Sequence, residues 1–363
     1  MERKVAKKVI ITGGGTGGHL FPALALADEF RERGWEVLFV GSGKEWERKI
    51  ISARSLPYMG LPAAPIKGKG GMELLRGIMT LGVASFKALG VLRSQSPSLV
   101  LGVGGYSSGA MILASALRGI PRVIQEQNVI PGLANRLAAR FAQRVFCSFE
   151  ETRDFFPGRK VSVTGNPIRR EVLSSFEKSR RGERFTLLVL GGSQGARAIN
   201  EAMTDALPFF GEMKGIIRVI HQTGEADRDW VEERYRREGV EAMVLSFIEE
   251  IGKYYAKAHL VVSRAGASTV AELCALGRAA VLIPYPFAAD DHQRRNAELL
   301  QRHGAAVLID ERVLGGELLA EEIRRLWLDR SSLQQMERRA LALGRRDAAS
   351  RVVEECLQLV EGR

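Results

Sequence analysis

The chain has 363 residues, 45% hydrophobic and 26% charged, a balance that describes a globular protein and argues against a disordered or an integral membrane one. That length exceeds one ordinary core and suits two domains. With 53 basic against 42 acidic side chains the net charge is +11, so an acidic partner is expected: nucleic acid, an anionic membrane face or a polyanionic substrate. Aromatics at 7% are too sparse for base-stacking platforms and no nucleic-acid-reading motif is present, which sets nucleic acid aside.

The first predicted strand, Val9-Ile10-Ile11-Thr12, runs into GGGTGGH at 13–19 and then into the helical segment Leu20 to Ala27. Five glycines let the backbone approach a ligand closely, and the amides and dipole of the following helix favour an anion at its start. The formal G-x-G-x-x-G match is weak by itself. Glu36 precedes the second strand instead of following it, which counts against a dinucleotide oxidoreductase. His19, at the start of the helix, is the candidate for proton transfer because imidazole as a group changes charge near neutral pH; a bond to its own loop or to a phosphate is the alternative. Gly14, Gly15, Thr16, Gly17 and Gly18 are its loop neighbours, placed to meet a ligand.

Between Lys67 and Arg93 basic residues alternate with apolar ones, a composition that suits anionic lipid headgroups. Lys69, Leu75, Arg76, Met79, Phe86 and Lys87 form the predicted membrane patch, with an ordinary solvated helix as the alternative. Residues 94–117 carry no charge and reach the ~20-residue length of a membrane span. Pro97 and the glycines at 102, 104, 105 and 109 make strand 98–103, loop and helix 110–117 the better reading.

Further strands are predicted near 36–40, 99–103, 121–125, 144–147 and 161–164, and a second set near 185–190, 216–221, 242–245, 259–263, 280–283 and 306–309. Their alternation with helical segments predicts an α/β fold of two doubly wound parallel sheets, with ligands at the carboxyl ends of the strands in a cleft between the domains. The hinge falls at Gly165-Asn166-Pro167, giving domains 1–165 and 166–346. Cys147, Cys274 and Cys356 are widely spaced and odd in number, so neither a disulfide framework nor a zinc site is expected and a reducing cytoplasm is. The short apolar run behind Met1-Glu2-Arg3-Lys4 predicts no signal peptide.

The second set opens as the first does: strand 185–190 runs into GGSQGAR at 191–197. Ser193 offers a hydroxyl at a helix start, and Ala267, Ser268 and Thr269 offer a second set of amides and hydroxyls for a diphosphate. Arg169 is a permanently charged fork for phosphate oxygens. Thr269 and Glu272 have the spacing of a capping box, which would explain both without a ligand. Asp227-Arg228-Asp229 has the form of a metal-holding pair but lies in a densely charged helical stretch, where an exposed face explains it better. No obligatory metal or cofactor is expected.

These loops, with GGYSSG at 104–109, QEQN at 125–128, GNPIR at 165–169, SRAGASTVAE at 263–272 and DDHQ at 290–293, resemble in order the MurG family of bacterial glycosyltransferases, within glycosyltransferase family 28. The resemblance runs from about residue 9 to about residue 300. It implies a GT-B fold and inverting transfer of N-acetylglucosamine from UDP-N-acetylglucosamine to the 4-hydroxyl of the lipid-linked muramoyl-pentapeptide, lipid I, giving lipid II. The family places such an enzyme peripherally on the cytoplasmic face of the bacterial plasma membrane, against anionic lipid and with cell-wall synthesis proteins as possible partners. By the same resemblance Glu272 binds the ribose, the Ile248 backbone reads the uracil edge, and Gln293 and Asn296 meet the donor sugar. Val270 and Ala271 complete the donor segment, and Asn128 orients a sugar hydroxyl beside Glu126. Gly104, Gly105 and Tyr106 form a second acceptor loop. Many relatives read HEQN where this chain has Gln125, so no role rests on a histidine there. Helix 347–363 is expected to cross back to the first domain, as in other two-domain glycosyltransferases. Two other readings remain: a UDP-N-acetylglucosamine epimerase of the same fold, and a non-catalytic nucleotide-binding scaffold on a membrane surface.

Overall fold

A computed structural model describes residues 7–61, 71–192 and 194–362, with the backbone alone for 71–81. The chain divides into two compact units, residues 1–169 with 346–363, and residues 170–345.

The first unit contains β1 (Lys8–Thr12), α1 (Gly17–Glu32), β2 (Glu36–Gly41), α2 (Glu45–Ser52), β3 (Tyr58–Gly60) and α3 (Gly71–Gln95). It continues through β4 (Leu99–Gly102), α4 (Tyr106–Leu117), β5 (Arg122–Glu126), α5 (Leu133–Ala138), β6 (Arg144–Cys147) and β7 (Val161–Val163). All strands pair in parallel in the order β3-β2-β1-β4-β5-β6-β7. Successive residues of a strand face opposite sides, so a strand covered on both faces reads as one apolar run. In β1, Val9 and Ile11 enter one core with Leu20, Leu24 and Phe30 of α1. Ile10 enters the other, with Ala88 and Leu92 of α3 and Met111 of α4. All these side chains are essentially inaccessible, and each large one contributes about 1.5–3 kcal/mol on burial.

The second unit contains α6 (Arg170–Glu177), β8 (Thr186–Leu190), α7 (Arg197–Ala206), β9 (Arg218–Gln222), α8 (Arg228–Arg237), β10 (Ala242–Leu245) and α9 (Ile251–Lys257). Next come β11 (Leu260–Ser263), α10 (Ala267–Leu276), β12 (Ala280–Leu282), α11 (His292–Arg302), β13 (Ala306–Leu308), α12 (Gly316–Leu328) and α13 (Arg330–Leu343). Its parallel sheet runs β10-β9-β8-β11-β12-β13. In both units the order therefore reverses beside the first strand of the set, at β1/β4 and at β8/β11. A crevice opens there at the carboxyl ends because the crossovers leave in opposite directions.

The α/β, doubly wound fold class expected from the sequence is the one observed. One strand was not anticipated: β3 is a three-residue edge strand after Pro57 with half-buried or exposed side chains, too short to show an apolar run. The helix expected at 110–117 begins at Tyr106, directly after Gly105. Among the described residues no helix is long and apolar enough to cross a membrane; the uncharged stretch 94–117 is the end of α3, β4, a loop and α4. The last helix, α14 (Ala348–Glu361), belongs to the first unit. Val352, Val353 and Cys356, spaced for one helical face, enter the core beside α1. Glu355 pairs with Arg144 of β6 and accepts the Ser162 hydroxyl of β7 at 2.7 Å.

Candidate active site

In the first unit the crevice is built from two loops that only glycine allows to touch. The β1 loop has positive φ at Gly13, Gly14 and Gly15, and the β4 loop at Gly104 and Gly105. A Cβ on Gly105 would lie 2.8 Å from the Gly14 carbonyl, and one on Gly104 would lie 2.8 Å from the His19 ring. His19 thus packs directly against the β4 loop. Its Nδ1 lies 3.2 Å from the Gly14 carbonyl and 3.2 Å from the Thr16 hydroxyl. A carbonyl can only accept, so this network assigns the proton to Nδ1 and leaves the lone pair of the neutral ring on Nε2.

Glu47 of α2 was not singled out in the sequence, because GKEWERK reads as a solvated charged helix. It is completely buried. Its carboxylate accepts the N–H of Gly15, the N–H and hydroxyl of Ser42 at 2.9 Å each, and the Tyr58 hydroxyl at 3.3 Å. Burial, first of all, pushes the Tyr58 phenol up from its usual range. The glycine loop thus already holds an internal carboxylate at Gly15.

Two further segments reach this region. Gln127 donates to the Val103 carbonyl at 2.8 Å, which ties the QEQN turn to the β4 loop. Glu126, at the end of β5, is buried, and both its oxygens are engaged: one by the N–H and amide of Asn128 at 2.9 and 3.2 Å, the other by the Gly132 N–H at 3.2 Å and the Asn135 amide at 2.8 Å. Burial raises its carboxyl pKa despite these donors. Gln125 is buried and donates to Asn166 of the GNP turn at 3.3 Å. Arg169 lays its guanidinium 4.3 Å from the centre of the Phe21 ring, two residues beyond His19 on α1. Tyr106 stands at the start of α4 with 38% of its surface exposed.

The second unit repeats the topology with other chemistry. At the end of β9 a single side chain, Gln222, donates to the Gly192 carbonyl at 2.7 Å and accepts the Ile248 N–H at 3.0 Å. It joins the GGSQG loop to the segment expected to read a base, and nothing in the sequence marks it beyond its place at a strand end. Gly195 has φ +79°, and a Cβ there would fall 1.9 Å from the Thr223 carbonyl. Ser193 lies outside the described residues.

At the β11 end, Gly266 caps α10 with extended backbone, so Ala267, Ser268 and Thr269 form its first turn. This removes the capping box: Thr269 is already inside the helix and Glu272 is its sixth residue. Glu272 is instead buried within α10, accepting the Tyr255 hydroxyl at 3.0 Å. The Ser268 hydroxyl is buried without a hydrogen-bond partner among the described residues, an unusual state for a polar atom. Val270 and Ala271 have buried side chains, so only their backbone could meet a ligand. Asn296 of α11 is fully buried and donates to the Ala265 carbonyl at 3.2 Å, and Gln293 accepts the Tyr285 N–H at 3.0 Å. Just before them Asp290 and Asp291 both take positive φ, about +50°, a strained pair for residues with side chains.

In the Asp227-Arg228-Asp229 segment Arg228 and Asp229 are exposed as expected, and Asp227 is the exception. Asp227 is buried and accepts from Arg197 at 2.6 Å, Asn200 at 2.7 Å and Trp230 at 3.0 Å. Burial works to raise its pKa, and these donors together hold it below the usual range. Among the described residues no group of three His, Cys, Asp or Glu side chains is placed to hold a metal ion.

Of the predicted membrane patch, Lys69 lies outside the described residues, as do the side chains of Leu75, Arg76 and Met79. Phe86 is 77% exposed and Lys87 is exposed, on a helix whose opposite stripe, Ala84, Ala88 and Leu92, is buried.

The sequence models of the glycosyltransferase family 28 N-terminal and C-terminal domains match residues 9–147 and 186–352. A relative from Myxococcus xanthus is 44% identical over 356 residues, covering 97% of this chain and 93% of its own length. One from Citrifermentans bemidjiense is 46% identical, covering 95% and 98%. Both are named UDP-N-acetylglucosamine--N-acetylmuramyl-(pentapeptide) pyrophosphoryl-undecaprenol N-acetylglucosamine transferase. Among solved structures, MurG of Acinetobacter baumannii matches with TM-score 0.79 at 30% identity, covering 98% of this chain and all of that one. A UDP-GlcNAc 2-epimerase from Neisseria meningitidis matches with TM-score 0.70 at 15% identity, covering 97% and 100%, a likeness of fold alone.

Proposed function

The chain belongs to glycosyltransferase family 28, and from that membership we infer that it transfers N-acetylglucosamine from UDP-N-acetylglucosamine to the undecaprenyl-diphosphate-linked muramoyl-pentapeptide, making lipid II for peptidoglycan. The observation that carries this is 44–46% identity to relatives of that activity across almost the whole chain, with the solved MurG structure covering nearly all of it.

In the mechanism proposed, Nε2 of His19 accepts the proton of the muramoyl 4-hydroxyl as that oxygen attacks the anomeric carbon. The bond from that carbon to the UDP oxygen breaks, and configuration inverts. The glycines at 14, 15, 17, 18, 104 and 105, with Thr16, Tyr106 and Asn128, are the groups proposed to meet the sugars and the acceptor diphosphate. Glu126 is assigned to holding the Asn128 turn, since both its oxygens are engaged there. UDP is assigned to the second unit: Glu272 to the ribose, Ile248 to the base, and Ser193 with the first turn of α10 to the diphosphate. The buried hydroxyl of Ser268 at a helix start supports this last assignment. Arg169 supplies a fixed positive charge for a phosphate, and Gln293 and Asn296 are proposed to meet the donor sugar.

Peripheral attachment to the cytoplasmic face of the plasma membrane is proposed for the same unit that carries His19. Exposed Phe86 and Lys87 on α3 support it, as does an apolar groove of about 70 Å³ lined by Tyr106, Leu113, Leu133, Leu137 and Phe141. Cell-wall synthesis proteins remain proposed partners.

The test is transfer of labelled N-acetylglucosamine to a short-chain lipid I analogue with EDTA present. Lipid-dependent product is the expected result and shows metal independence at once. UDP binding without transfer, before and after magnesium is added, would overturn the reading, and epimer formation from the nucleotide sugar alone would put the epimerase in its place.

A further inference from the structure

We propose that Glu47 is a positioning residue for His19, acting through the single peptide unit between Gly14 and Gly15. This rests on the reading of His19 as proton acceptor. The N–H of that peptide donates to the Glu47 carboxylate, and its carbonyl faces His19 Nδ1 at 3.2 Å. Carboxylate, peptide and imidazole therefore form one hydrogen-bonded line. Each bond in such a line polarises the next: the carboxylate draws the amide proton, the carbonyl becomes a better acceptor, and Nδ1–H is held more firmly. When Nε2 takes the acceptor's proton, the positive ring that results faces a carbonyl backed by a negative charge. Glu47 fixes the tautomer and favours the imidazolium without touching the ring.

The elements around it make this specific. Glu47 is itself held by the two donors of Ser42 and by Tyr58, so its direction is set from β2 and β3. A side chain at Gly14 would meet a Glu47 oxygen at 2.5 Å, and at Gly41 at 2.8 Å, so those glycines are what admit the carboxylate. Titratable groups on the surrounding elements include Lys44, whose ammonium is 3.4 Å from the Gly15 carbonyl and opposes the effect, Arg48 over the Tyr58 ring, Tyr106, Glu126 and Arg169, while Glu45 and Lys49 of α2 pair with each other at 3.3 Å. On α1 itself the next charged side chain is Asp28, nine residues or about 14 Å further along.

The experiment compares wild type with Glu47→Gln by the pH profile of transfer and by ¹⁵N NMR titration of His19. Removing the negative charge destabilises the imidazolium. The expected result is a His19 midpoint lower by roughly half a pH unit or more, with the acid limb of the kcat profile moving the same way. kcat is expected to fall about tenfold while KM for UDP-N-acetylglucosamine is kept. A fall in kcat with an unmoved midpoint would reduce Glu47 to loop packing and overturn the proposal. The NMR midpoint is read without turnover, so a shift there alongside an active His19→Ala enzyme would retire the catalytic reading and leave the coupling standing. Should Glu47→Gln not fold, Tyr58→Phe removes one of the four donors and leaves the carboxylate more available to Gly15. The midpoint should then rise, and a fall or no change overturns the proposal.

Discussion

The two glycine loops follow the same strand of the same sheet order, yet what sits on their amides differs, and that difference separates their chemistry. The loop after β1 is filled from inside by the Glu47 carboxylate and presents an imidazole. The loop after β8 is tied by a neutral amide, Gln222, and stands beside a helix start whose serine hydroxyl is buried without a partner among the described residues. An anion already in place favours a cation nearby, as suits an imidazole that takes up a proton. A helix start with a buried hydroxyl in its first turn favours an incoming phosphate. On the proposed assignment one topology serves two tasks according to the residues grafted on it.

The sharpest break in that comparison is His19→Ala. Loss of general-base help should lower kcat by about 10²–10⁴-fold and leave UDP affinity, measured by calorimetry, unchanged; retained turnover would remove the first loop from the chemistry. Next in size is Glu272→Ala. A hydrogen bond to a charged group is worth about 1.5–3 kcal/mol, so UDP affinity should drop by roughly 10–100-fold. Tyr255→Phe is the control for the lost Tyr255 bond, and equal affinity in Glu272→Ala would leave Glu272 a partner of Tyr255 only. Gln222→Met has a smaller effect of opposite sign. It takes from the Ile248 N–H its internal acceptor, so uridine should bind several-fold tighter, in line with about 0.5–1.5 kcal/mol per neutral hydrogen bond. Unchanged uridine affinity would remove that N–H from the base site.

The strands and both glycine loops were legible because doubly covered strands are continuous apolar runs ended by glycine, a signal local in sequence. What the sequence hid were contacts between distant segments. Glu47 looks solvated among Lys44, Glu45, Arg48 and Lys49 until α2 turns it under the loop. Asp227 looked exposed for the same reason and is buried against α7. The capping box at Thr269 and Glu272 failed because Gly266, three residues earlier, starts the helix. Spacing cannot distinguish those two starts.

A last test asks whether the units differ in acid response as they do in loop chemistry. In the second unit His221 is buried between the Tyr235 hydroxyl and the Asn200 amide oxygen, each 3.0 Å away, and burial pushes its pKa down to about 3 from 6.5. A folded pKa below the unfolded one means that the unfolded chain binds more protons. Its contribution is complete above about pH 6.5 and drains away as pH falls toward 3. Glu126 in the first unit has the reverse sign. Its raised pKa gives stability that is present below the ordinary glutamate value and lost as pH rises through the folded one. Acidification from pH 6.5 to 4.5 should therefore speed amide exchange, corrected for its intrinsic rate, more at β8 and β9 than at β5. His221→Gln is neutral throughout and should flatten the difference even though it lowers stability at neutral pH. Equal acid response of the two sheets in wild type would show that these buried groups do not set it.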